Sequence, residues 1–154
     1  MRYGYCIFCD DIRNEVGEKL SFIGCYNGTM FVAQKFPMTL PKFCAHVTLV
    51  TPSTQPYRSI VLKCYGPGED RPLLEERLET PQMDEQEEIA DKVQRVEVAP
   101  VSIVAAASLV FSPLKIRQPG LISVRAVIDG AQGEVNIGSL IVSGRETFPV
   151  MGRG

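Results

Sequence analysis

Apolar and polar residues alternate with a period of two along several short stretches of this chain. In the stretch KFCAHVTLVT, one side of the alternation holds Phe43, Ala45, Val47 and Leu49, and the other side holds His46. Successive side chains of a β-strand point to opposite faces of a sheet, so this period is typical of a strand with one face in the core. The stretch is therefore predicted to be a strand.

The same alternation recurs in three other stretches, RSIVLKCY, LISVRAVID and EVNIGSLIV. In the last of these it predicts that Val135, Ile137 and Ile141 share one face and that Leu140 and Val142 share the other. YGYCIFC and LSFIGCY are apolar on both faces, as expected for central strands. Turn-forming Gly, Pro and Asn residues separate the stretches. We therefore predict an all-β chain, a single antiparallel β-sandwich of C2-like or immunoglobulin-like type over residues 1–154.

One segment, residues 69–97, interrupts the strand pattern with an excess of acidic residues. It holds eleven acidic and four basic residues, a net charge of −7, whereas the whole chain carries −2. A capping residue at Asp70 and the helical spacing of Leu74 and Leu78 predict a short helix within a solvated acidic insertion around residues 70–95. A partly disordered acidic loop is the alternative. In either form the segment offers a candidate acidic contact surface made of Glu75, Glu76, Asp84, Glu85, Glu87 and Glu88.

Composition narrows the class of protein further. Of the 154 residues, 45% are hydrophobic and 22% are charged, which is ordinary for a soluble globular domain. The small net charge gives no general attraction to nucleic acid or to an anionic membrane. The N-terminal apolar run is too short for a signal peptide, and no apolar run is long enough to cross a bilayer. The odd number of cysteines favours reduced thiols and a cytoplasmic location: Cys6, Cys9, Cys25, Cys44 and Cys64.

The stretch CIFCDDIRNE, residues 6–15, places thiols and carboxylates side by side and is the most site-like part of the sequence. Residues three apart on a strand point to opposite faces, so Cys6 and Cys9 form a poor redox pair or zinc site. The acids that follow could bind a hard cation or share acid–base roles, but basic neighbours could equally neutralise them within a hairpin turn. The candidate interaction loop consists of Asp10, Asp11, Arg13, Glu15 and Lys19.

Other catalytic motifs are missing from the sequence. There is no G-x-S-x-G elbow and no glycine-rich phosphate loop, and the lone histidine, His46, lies in mid-strand. A single strand histidine is more often structural than catalytic. We therefore expect no catalytic residue, no cofactor and no metal ligand.

The N-terminal run FCDDIRNEVGEKLSFIGCYNG resembles the opening of an uncharacterised family of small bacterial and phage-associated proteins with a C-D-D-I-R-x-E signature. The runs FPMTLPKFCAHVTLVTP and VIDGAQGEVNIGSLIV resemble later parts of the same family, and together the three cover about two thirds of the chain. The resemblance implies a β-sandwich fold and a phage or mobile-element origin. It implies no activity and no catalytic residues.

Three functional hypotheses remain open at this point. The first is a non-catalytic accessory protein that binds an unidentified protein partner through its acidic segment, with no direct contact to nucleic acid or membrane. An exposed sheet edge could also pair with a second copy and form a homodimer. The second is a divalent-cation-dependent C2-like module that uses Asp10, Asp11 and Glu15, with Asp129 at the same edge. The third is a thiol or carboxylate enzyme.

Overall fold

The computed structural model describes residues 2–79, residue 88 and residues 102–144. Within these ranges the chain forms strands joined by turns, as the alternating stretches predict. The strands are β1 (Tyr3–Glu15), β2 (Lys19–Cys25), β3 (Thr29–Val32), β4 (Met38–Leu40), β5 (Phe43–Pro52), β6 (Ile60–Tyr65), β7 (Leu74–Leu78), β8 (Ser102–Phe111), β9 (Leu114–Ile116), β10 (Gly120–Ile128) and β11 (Val135–Gly144).

The strands form two main sheets and one small one. Sheet A has four strands in the order β2-β1-β5-β8, and sheet B has five in the order β3-β11-β10-β6-β7. The pair β4–β9 forms the small sheet. Every pairing is antiparallel except β3 with β11, which is parallel. The predicted all-β, sandwich-like architecture is confirmed.

The core lies between the facing sides of sheets A and B. On β5, the predicted inward side chains Phe43, Ala45, Val47 and Leu49 are all buried. Sheet B contributes the alternating residues of β6 and β10, among them Ile60, Leu62, Ile122, Val124 and Ala126. The period-two pattern therefore identifies the inner faces of these strands correctly.

Two glycines let the sheets approach each other closely. A Cβ atom added to Gly138 of β11 would lie 2.7 Å from the Cβ of Cys6 on β1. A Cβ on Gly4 would lie 3.2 Å from Cδ1 of Ile137. The space between Gly138 and Cys6 is therefore too small for a side chain at residue 138, and β1 and β11 lie close together at this point.

A β-bulge corrects the predicted faces of β11. The register between β10 and β11 shifts between Val124 and Arg125, so Ile137 is an extra residue on β11. A bulge turns two consecutive side chains to the same side of a sheet. Ile137 therefore faces inward together with the next residue, and alternation from that residue places Leu140 inward as well. Ile137 and Leu140 are both buried, although simple alternation assigns them to opposite faces. Val135 and Ile141, expected beside Ile137, are exposed at 53% and 49%.

The helix expected at Leu74 and Leu78 is a strand, β7, which pairs with β6 at the edge of sheet B. Leu74 faces Cys64 and Leu78 faces Ile60 in this pairing. The leucines are four residues apart, which is a spacing that also places both on one face of a strand. Contact of the two leucines with the apolar face of sheet B favours the strand over the helix. Most of the remaining acidic segment lies outside the described residues, apart from Glu88.

The four edge strands of the main sheets differ in their chemistry. β3 has four residues, β7 carries three charged residues, and β2 contains Lys19 and a left-handed Gly24 with φ of 67°. Short length, charge and local irregularity all discourage further pairing at a sheet edge. β8 has ten residues and no charge at any position. Over the described ranges, no helix is long and apolar enough to cross a membrane.

Candidate functional site

The predicted acidic loop is not a loop. β1 continues through Asp10 and Asp11 as far as Glu15, and the turn to β2 comprises residues 16–18, with left-handed conformations at Gly17 and Glu18. The prediction of a turn at 10–15 is wrong because a long hairpin carries these polar residues on its exposed strands, where their side chains reach solvent.

The carboxylates of this stretch have separate partners. Asp10 accepts a hydrogen bond of 2.5 Å from the Tyr26 hydroxyl. Asp11 forms an ion pair of 2.6 Å with Lys42 and accepts a bond from the Ile12 amide. The hydrogen bond from Lys42 is the main reason that the pKa of Asp11 lies below its usual value.

The rest of the candidate interaction loop does not join these carboxylates. In the hairpin register, Arg13 faces Ser21 and Glu15 faces Lys19. The ion pair of Asp11 is made with Lys42, and Arg13 adds only a smaller charge interaction. Among the residues described, no three His, Cys, Asp or Glu side chains are grouped so that they could hold a metal ion.

Asp129, the fourth residue of the cation hypothesis, is also engaged elsewhere. Its carboxylate lies 2.8 Å from the Arg2 guanidinium and accepts hydrogen bonds from the amides of Arg58 and Ser59. Burial alone would raise the pKa of Asp129, but these hydrogen bonds and Arg2 together hold it below the usual value. The side chain therefore ties the N-terminus to the end of β10.

The thiols of Cys6 and Cys9 face apart, as strand geometry predicts. Cys6 points towards sheet B, where burial and the neighbouring Cys64 raise its pKa to about 12. Cys9 is fully buried beside Cys44, with a pKa raised to about 11, mainly by burial. Cys25, by contrast, is exposed.

The predicted acidic contact surface is only partly within the described residues. Glu75 and Glu76 are exposed on β7, and Glu88 is exposed as well. The other members, Asp84, Glu85 and Glu87, lie outside the described residues.

His46 forms a hydrogen-bonded pair with a serine that the sequence did not indicate. Its Nδ1 lies 2.9 Å from Oγ of Ser108 on β8, and its ring lies 5.2 Å from the ring of Phe22. Burial lowers the pKa of His46, which favours the neutral imidazole. In the described part of the chain no carboxylate is hydrogen-bonded to this ring, so nothing orients it as the base of a catalytic triad.

A polar cluster on the outer face of sheet B was also not foreseen. Glu134 accepts a hydrogen bond of 2.8 Å from the Tyr65 hydroxyl and pairs with Lys63 at 3.1 Å and with Arg125 at 3.4 Å. The Arg125 guanidinium lies over the Tyr65 ring, 4.6 Å from its centre. Hydrogen bonds from Tyr65 and Lys63 are the main reasons that the pKa of Glu134 lies below its usual value. The donors and the acceptor satisfy one another, so the cluster fastens the loop before β11 to the sheet.

The side of β8 that faces away from β5 is an edge of sheet A in the described part of the chain. All ten residues of β8 pair with β5 on one side, and no described strand pairs with the other. The outer face beside this edge is mainly apolar. Two rows of facing residues run across β1, β5 and β8. The first row is Tyr3, Val50 and Val104, and the second is Tyr5, Thr48 and Ala106. Tyr3, Tyr5 and Val104 are exposed at 58%, 49% and 61%. We name Tyr3, Tyr5, Val104 and Ala106 the outer strip.

Comparison with known proteins gives no relative of this all-β chain. No family model matches it, and no curated protein and no solved structure matches it either. The family resemblance of the N-terminal run stays a prediction, and function has to be argued from the surface itself.

Proposed function

We propose that this protein is a non-catalytic β-sandwich module that binds another polypeptide by adding an extended segment of it to the open side of β8. The observation that carries the proposal is the contrast between β8 and the other edges. β2, β3 and β7 each have a feature that discourages pairing, whereas β8 offers ten uncharged residues in regular extended geometry.

The chemistry of β8 defines the segment that it would accept. About half of the N–H and C=O groups of an edge strand point away from its neighbour, and an added strand hydrogen-bonds to them. The side chains of the added strand would then continue the outer strip beyond Val104 and Ala106. With no charge on β8, the fitting partner is an uncharged segment with apolar residues at alternate positions.

A second copy of this chain also meets these requirements. Two antiparallel copies of β8 would bring no like charges together, because the strand carries none. This homodimer is one form of the same edge pairing, and sedimentation over a range of protein concentrations separates it from binding to a different protein.

The other two hypotheses find less support. The aspartates of the cation hypothesis are each held by a separate partner, Tyr26 for Asp10 and Lys42 for Asp11. For the enzyme hypothesis, the pKa values of the Cys6, Cys9, Cys44 and Cys64 thiols are all raised, and a thiolate is the reactive form of cysteine.

The test is a quantitative capture experiment with a single charge placed on the edge. Val104→Lys puts an ammonium group beside the open side of β8, while Ile141→Lys makes the same change on the outer face of sheet B. The two side chains are similarly exposed, at 61% and 49%. We expect proteins retained by the wild type to be lost with Val104→Lys and kept with Ile141→Lys. Equal retention by both variants would contradict the proposal.

A further arm tests the acidic contact surface. Removing residues 70–95 would also remove β7, so Glu75→Gln with Glu76→Gln is the sharper change. Loss of the partner with these glutamines but not with Val104→Lys would assign the contact to the acidic segment instead of β8.

A further inference from the structure

Three cysteines lie side by side across three adjacent strands of sheet A. In the antiparallel registers, Cys9 of β1 faces Cys25 of β2 on one side and Cys44 of β5 on the other. Facing residues of antiparallel strands place their side chains on the same face of the sheet. Cys9 is therefore the central thiol of a row, with a neighbour on each side.

The backbone hydrogen bonds distinguish the two neighbours of Cys9. The amide of Tyr26 donates to the carbonyl of Phe8 at 2.8 Å, so a backbone hydrogen bond joins the residues that flank the facing Cys9 and Cys25. Pairs alternate along an antiparallel ladder, which makes Cys9 and Cys25 a non-hydrogen-bonded pair. The backbone groups of Cys9 then point towards β5, so Cys9 and Cys44 are hydrogen-bonded to each other.

Only the non-hydrogen-bonded pair has close side chains. The Cα atoms of such a pair are about 4.5 Å apart, against about 5.5 Å for a hydrogen-bonded pair. Both distances lie within the range of about 4.4–6.8 Å that a disulfide allows, so the closer approach of the side chains in the non-hydrogen-bonded pair favours Cys25 over Cys44.

Exposure separates the roles of the two thiols. Cys25 lies on an edge strand and is exposed, while Cys9 and Cys44 are fully buried. A reagent in solution therefore reaches Cys25 before Cys9, and the Cys25 sulfur lies on the same face of the sheet as Cys9.

We propose that Cys25 is a site of modification by low-molecular-weight disulfides and that Cys9 resolves the adduct, leaving a disulfide across β1 and β2. In the first step the Cys25 thiolate attacks one sulfur of the small disulfide, and the other sulfur leaves as a thiolate. In the second step the Cys9 thiolate attacks the Cys25 sulfur and releases the second small thiolate. The small disulfide is reduced to two thiols, and the protons of Cys9 and Cys25 pass to them.

The second step is slow at neutral pH. Burial, then the Cys44 and Cys25 thiols, raise the pKa of Cys9 to about 11. Thiol–disulfide exchange depends on the thiolate fraction of the attacking group, so closure is about tenfold slower for each unit by which the pH lies below that value. We therefore expect the mixed disulfide on Cys25 to accumulate before it is resolved.

The experiment incubates the reduced full chain with oxidised glutathione and follows its intact mass over time. We expect one glutathione adduct to appear first and then to be lost as the internal disulfide forms. Trypsin cleavage without reduction should give a linked pair, residues 3–13 with residues 20–35, and fragmentation of this pair should place the bond on Cys9 instead of Cys6. A persistent adduct in the wild type, no adduct, or a bond from Cys25 to Cys6 or Cys44 would each overturn the proposal.

Two variants make the roles specific. Cys9→Ser should keep the adduct on Cys25 without closure, and Cys44→Ser should close as the wild type does. Failure of Cys44→Ser to close would transfer the resolving role to Cys44. The wild-type peptide map needs neither variant, so it decides the proposal even if a buried serine prevents folding.

Discussion

The close approach of β1 and β11 gives a sharp prediction about stability. Gly138→Ala adds a Cβ atom 2.7 Å from the Cβ of Cys6, while the nearest atom of Phe8 would be at an ordinary 3.5 Å. Because a Cβ is fixed by its backbone, neither atom can rotate away, and the two strands have to separate. Overpacking of this kind costs about 1–3 kcal/mol. With a urea slope of about 2 kcal/mol per M, the unfolding midpoint should fall by about 0.5–1.5 M.

The assay is urea unfolding followed by circular dichroism, with two comparison variants. Gly133→Ala is the matched control, because a Cβ there meets no atom within 4 Å. Its midpoint should stay near that of the wild type. Cys6→Gly removes the opposing Cβ, so Gly138→Ala should cost less in that background than in the wild type. A wild-type midpoint for Gly138→Ala, or an equal cost in both backgrounds, would refute the proposed sheet contact.

Three further outcomes follow from the ion pairs and thiols. Asp129 has a lowered pKa in the folded state, so its contribution to the free energy of unfolding is present above about pH 4 and is lost as the pH falls through the folded pKa. The difference in urea midpoint between wild type and Asp129→Asn should therefore shrink from pH 6 to pH 3. A constant difference would contradict this. The hydrogen bond to Glu134 raises the pKa of Tyr65, so the stability that the wild type holds over Tyr65→Phe should persist up to about pH 10 and decline above it. Iodoacetamide labelling of the native protein should modify Cys25 well before Cys9, Cys44 or Cys64, and uniform labelling would count against the assigned burial.

Much of the fold could be predicted from the sequence because one face of most strands is buried. On β5, β6 and β10, most of the side chains that the period-two pattern places inward are buried, with Val47, Leu62 and Val124 as examples. Burial of one face imposes this pattern on the sequence directly. The bulge at Ile137 broke it on β11, since a register shift depends on the neighbouring strand and leaves no local signal.

The edges and the candidate site were harder to predict. The acidic composition of β7 suggested a helix, and only its pairing with β6 makes it a strand. β8 has three consecutive alanines, Ala105–Ala107, which are not typical of strands, and its position at an edge depends on the order of strands in sheet A. The outer strip likewise exists only after Tyr3 and Val104 are brought into register through β5.

For the side-chain clusters, the sequence indicated some of the members but not the partner that completes each cluster. Alternation places Lys63 and Arg125 on the outer face of sheet B, as observed. Their common partner, Glu134, lies in a loop, and nothing in the sequence indicates that it contacts them. In the same way, strand geometry argued against a pair of Cys6 and Cys9, but only the register of β1 with β2 shows that Cys9 faces Cys25.

The central claim is that β8 has an open side that pairs with another polypeptide. Residue-resolved hydrogen exchange by NMR tests it most directly. In the dilute protein alone, the amides of β8 that point towards β5 should be protected, and those that point away should exchange rapidly. Adding the captured partner, or raising the concentration of the chain itself, should protect the second set. Protection of every β8 amide in the dilute protein, or unchanged rapid exchange once the complex has formed, would contradict the account.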